Sequence, residues 1–170
     1  MDRHAPWWRI TEPVFESRQK LQGEIVRFLA VLRELGGGRY ACLMEPEGIL
    51  FESEPQDAEQ GWMLRQFLKE KAAALFTLPE AMDAGGPAED VFADWTTDEF
   101  LLAFINRRVA VVIACPDAEP LREEAMRPLK ALADRLLRYN QAWRLRPGGR
   151  GGFFMGSAQL DLVVVGREET

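Results

Sequence analysis

Between residues 21 and 35 the apolar positions Leu21, Ile25, Phe28, Leu29, Leu32 and Leu35 recur every three or four residues. That is the period of an amphipathic helix with one buried face. The spacing predicts a helix over about 13–35, with Thr11 as its cap and Pro13 in its first turn. Gly36-Gly37-Gly38 follows at once, and then the period changes. "YACLM" and "ILFES" read as strands, joined as a hairpin by "EPEG", where Pro46 and Gly48 suit a type I turn. Asp57 is placed to cap a second helix over about 58–77, with Leu64, Phe67, Leu68, Ala72 and Leu75 on one face. "PEAMDAGGPAED" reads as loop. Three short runs, "VFADW", "FLLAFI" and "VAVVIAC", then follow across polar junctions as a meander. A third helix is expected to begin at Asp117 and to carry Leu121, Ala125, Leu129, Leu132, Ala133 and Leu136 on one face, with Pro128 predicting a kink or a late start. "QLDLVVVG" reads as a last strand.

Which strands are central follows from which are apolar on both faces. In "YACLM", Tyr40, Cys42 and Met44 point one way while Ala41 and Leu43 point the other. "FLLAFI" and "VAVVIAC" are likewise apolar on both sides, so all three need cover above and below. "ILFES" carries Glu52 and "VFADW" carries Asp94, which suits each to a sheet edge. With short connections, and strands numbered along the chain, the predicted order is 2-1-5-4-3. The expected fold class is α/β in the broad sense (α+β). It is a five-stranded antiparallel sheet with helices on both faces, plus a C-terminal extra strand. The expected organisation is a Trp-rich arm over 1–13, the domain over 14–139 and an extension over 140–170.

The three glycines raise the question of a phosphate-binding loop. Such a loop runs strand, glycines, helix, so that helix N-terminal N–H groups meet the anion. Here helix precedes and strand follows, and no Gly-Lys-Ser/Thr occurs, so the glycines read as a helix stop. Composition points the same way. The net charge is −6 over 170 residues, and no basic stripe offers itself to nucleic acid; Arg138, Arg144, Arg146 and Arg150 read as a solvated helix end and loop. No run approaches membrane-spanning length and no signal segment is visible, so a cytoplasmic protein without membrane association is expected. Cys42 and Cys115 each sit in an apolar run and read as buried thiols of a reducing compartment.

Reactive groups are sparse. His4 is the one histidine, Ser17, Ser53 and Ser157 lie in no nucleophile turn, and no Cys-x-x-Cys pair exists for zinc. Glu45, Glu47, Glu52 and Glu54 cluster at the first hairpin but read as solvated charges that protect a sheet edge. Catalytic residues, metal ligands and cofactor contacts are therefore not expected. The aromatics are more telling: Trp62 on the second helix, with Phe92 and Trp95 in the third strand, form a candidate interface beside an edge strand.

Two stretches, "YACLMEPEGILFES" and "DEFLLAFINRRVAVVIACPDAEPLREEAMRPLKALADRLL", together with the element order over roughly 14–139, resemble the roadblock/LC7 family. The resemblance implies a non-enzymatic regulatory or scaffolding module that forms a homodimer through its third strand and second helix. It also places a Ras-like small GTPase among the expected protein partners. The arm over 1–13, Pro128 and residues 140–170 depart from the family pattern. In particular, a strand in the C-terminal extension would compete for the edge that relatives use for pairing. The alternative is a GAF-, PAS- or profilin-like ligand-sensing domain, which requires an apolar cavity between sheet and helix.

Overall fold

The computed structural model describes residues 18–54, 57–83, 99–105, 109–145 and 160–165. The elements in chain order are α1 (Arg18–Leu35), β1 (Tyr40–Glu45), β2 (Gly48–Glu52), α2 (Ala58–Leu75), α3 (Leu78–Asp83), β3 (Glu99–Ile105), β4 (Val109–Cys115), α4 (Ala118–Leu145) and β5 (Leu160–Val165). Among the described residues this is an α+β fold: four helices and an open antiparallel sheet of five strands in the order β2-β1-β4-β3-β5.

Both faces of the sheet are covered, as the apolar pattern requires. On one side Leu21, Ile25, Leu29 and Leu32 of α1 and Leu121, Leu129, Leu132 and Leu136 of α4 pack on Ala41, Leu43, Leu101, Val111 and Ile113. On the other, Leu64, Leu68, Ala72 and Leu75 of α2 and Leu78 of α3 pack on Tyr40, Cys42, Phe100, Leu102, Phe104 and Val112. Phe67 stacks on Phe100 at 6.2 Å between ring centroids, and Phe76 meets Phe104 edge-on at 5.7 Å. The three strands expected in the middle, now β1, β4 and β3, are there.

One edge departs from expectation. The order 2-1-5-4-3 put "VFADW" beside "FLLAFI". That place belongs to β5, which runs antiparallel to β3 from Phe100↔Val165 to Ile105↔Leu160. The reason lies in its side chains. Val163 and Val165 enter the core under α2, while Leu160, Leu162 and Val164 pack on the α1–α4 side. Apart from Asp161 at its start, the strand is apolar on both faces and so suits a sheet covered on both sides. "VFADW" lies outside the described residues, as do residues 1–17.

Local chemistry accounts for the element ends. The glycines close α1 in a Schellman arrangement: Gly38 N–H donates to Arg33 C=O at 2.7 Å and Gly37 N–H to Glu34 C=O at 3.1 Å. Gly37 takes φ +102°, the left-handed conformation such a stop needs. Asp57 caps α2, its carboxylate accepting from Glu59 and Gln60 N–H at 2.9 and 3.0 Å. At the start of α4 the role expected of Asp117 is filled from β3, where Glu99 Oε2 accepts from Ala118 N–H at 2.7 Å. That helix passes through Pro128 without a late start. Proline deprives the Glu124 carbonyl of its helical partner, but Glu124 is exposed and water can serve it. The loop expected at "PEAMD" is the short helix α3.

Candidate functional site

The α2 side of the sheet holds a polar cluster of three residues. Tyr40 on β1 and Glu52 on β2 project toward α2, and Arg65 comes down from it. Tyr40 Oη donates to Glu52 Oε2 at 2.5 Å. Arg65 grips the same carboxylate with both prongs, Nε to Oε2 at 2.8 Å and Nη2 to Oε1 at 2.7 Å. A two-pronged guanidinium–carboxylate pair fixes orientation as well as charge. Glu52 is thus no free edge charge, as its sequence context suggested, but the link that ties the first hairpin to α2.

The ionisation of the cluster follows from its position. Burial raises the Tyr40 phenol far above its ordinary value, and the neighbouring Cys42 and Glu52 add to this. Burial likewise raises the Cys42 thiol, with the Glu52 charge acting in the same direction. Partial burial pushes the Glu52 carboxyl upward, but hydrogen bonds from Arg65 and Tyr40 and the charges of Arg65 and Lys69 outweigh it, so it lies below the usual carboxylate range. The hydrogen bond to Glu52 raises Arg65. Cys115 is pushed up to about 12 by burial and the nearby Glu99 charge. Both thiols are buried and unpaired. They stay protonated at neutral pH, and a thiol rather than a thiolate is a poor nucleophile.

A pH dependence follows. Because the folded Glu52 has the lower pKa, its contribution is present above the unfolded carboxyl value, about 4.3. It is lost as pH falls through the folded value. Glu52→Gln is expected to remove about 1 kcal/mol at pH 7, a modest figure because the pair is partly solvated. The same variant should flatten the stability loss below about pH 4.3. Urea unfolding of both proteins at pH 7 and pH 3 measures this; parallel curves would mean that the cluster is not ionically coupled to folding.

Of the candidate interface residues, Trp62 is described and lies in the open. It is 56% exposed and its neighbour Met63 50% exposed, on the side of α2 turned away from Leu64 and Leu68. Phe92 and Trp95 lie outside the described residues. The groove described, of about 610 Å³, lies between α1 and α4, not between sheet and helix where a GAF- or PAS-like reading requires it. Among the described residues no group of three or more His, Cys, Asp or Glu is placed to hold a metal ion. No helix among them is long and apolar enough to cross a membrane. No family model, curated protein or solved structure matches the chain.

Proposed function

We propose that this chain is a non-enzymatic regulatory or scaffolding module of roadblock/LC7 type that pairs with a second copy and docks a protein partner, with a Ras-like small GTPase as the leading candidate. The observation that carries this reading is the Trp62–Met63 pair on the solvent side of α2. A large aromatic and a flexible thioether side by side on a surface suit an interaction site, and tryptophan is among the residues enriched at the energetic centres of such sites. The consumption of Tyr40, Glu52 and Arg65 in one closed cluster supports a binding rather than a catalytic role. Because β5 lies along β3, the pairing surface proposed for two copies is that of α2.

Sedimentation velocity tests this. The unaltered protein should sediment as a dimer at micromolar concentration. Trp62→Asp should weaken the dimer by tenfold or more, as loss of an anchor does, and leave the far-UV circular dichroism spectrum unchanged, since Trp62 is exposed and contributes little to the core. A monomer at high micromolar concentration in the unaltered protein would refute the proposal.

A further inference from the structure

The face opposite Trp62 carries a second feature. Between α1 and α4 runs the open groove of about 610 Å³, floored by Phe28, Val31 and Ala131. Val31 is 52% exposed, although it stands next to the buried Leu32 in the chain. The lining spans residues 24–31 on one helix and 131–138 on the other. Each is eight residues, a rise of about 10 Å or two helical turns. That is the length over which a docked helix places anchors at i, i+3 or i+4, and i+7.

Charge selects the occupant. Glu24 and Arg135 bridge the two helices at 2.7 Å and so neutralise each other. Arg27, Arg138 and Asp134 complete the lining, and neither arginine has a hydrogen-bond or ion-pair partner among the described residues. Among the described residues the lining thus carries three arginines against two carboxylates, a cationic excess of one on a chain of net charge −6.

We infer that the groove between α1 and α4 receives an amphipathic helix of a partner protein whose apolar stripe of two turns is flanked by Asp or Glu. The proposal deepens the scaffold reading given above, since it names where and how the partner docks, on the side of the sheet away from the α2 pairing surface. One copy would then present its two faces to different molecules.

The test uses the full chain and fluorescence anisotropy with two synthetic fluorescein-labelled helices. Both carry leucine at i, i+3 and i+7; one is flanked by glutamate, the other by lysine at the same places. The glutamate helix should bind about tenfold more tightly than the lysine helix, and less so at high salt. Val31→Glu and Arg138→Glu, both at exposed positions, should each weaken the glutamate helix by about tenfold. Circular dichroism and the sedimenting mass should stay unchanged, which separates failure of the groove from failure of the dimer. Equal binding of the two helices overturns the inference, as does no binding at millimolar concentration or indifference to both variants. A fall in sedimenting mass with Val31→Glu overturns it too, because the groove would then hold a second copy.

Discussion

Val163→Asp is expected to destabilise the protein by about 3–5 kcal/mol, the cost of leaving a charge buried without a partner. Val163 is buried, pairs with Leu102 across the β3–β5 ladder and belongs to the core beneath α2. The substitution removes an apolar side chain worth about 1.5 kcal/mol or more and puts a carboxylate where the neighbours are Leu102, Phe104 and Val165 rather than donors. Domains of this size are stable by only about 5–15 kcal/mol, so the variant should unfold at far lower urea. If β5 were a loose appendage, the midpoint would move by no more than about 0.5 kcal/mol equivalent. A smaller m-value in the variant would report a third outcome, in which β5 peels away and the rest holds. That outcome exposes the β3 edge, and aggregation should accompany it.

The edge is also where reading the chain alone falls short. Strands apolar on both faces announce a central position, and β1, β4 and β3 took theirs. Edge strands announce much less. Asp94 in "VFADW" and Asp161 in "LDLVVV" both leave one polar position on a strand, and composition does not rank them. Contacts between distant elements were hidden for a related reason. Arg65 stands thirteen residues beyond Glu52 on another element, and only the way α2 lies over the hairpin brings them together. Glu99 and the start of α4 are joined in the same way across the β3–β4 hairpin. Signals confined to one turn of chain fared better: the Asp57 cap and the glycine stop appear where local chemistry put them. Trp62 falls between these cases. Helical spacing alone leaves it at the border of the apolar face, and its exposure depends on how far α2 is rolled onto the sheet.

The glycine stop supplies the second large effect, and two glycines of α1 and its end should respond with opposite sign. Gly36 is buried where α1 meets β4. A Cβ there would lie 2.7 Å from Ile113 Cγ2 and 3.2 Å from the Ala114 carbonyl oxygen. Ile113 is packed among the α1–α4 core, and Ala114 is held in register between Tyr40 and Phe100, so neither can retreat freely. Gly36→Ala is expected to cost about 1–3 kcal/mol and Gly36→Val about 3 kcal/mol or more, as overpacking of a filled site does. Gly23 lies within α1, and a Cβ there meets only Arg27 Nη2 at 4.0 Å. Gly23→Ala should therefore stabilise the protein by about 0.5–1 kcal/mol, through the lower entropy of the unfolded chain and the better helix propensity of alanine. Urea midpoints of the three variants decide the matter. If Gly36→Ala stabilises as Gly23→Ala does, then α1 does not approach β4 closely, and the glycines serve only to end a helix.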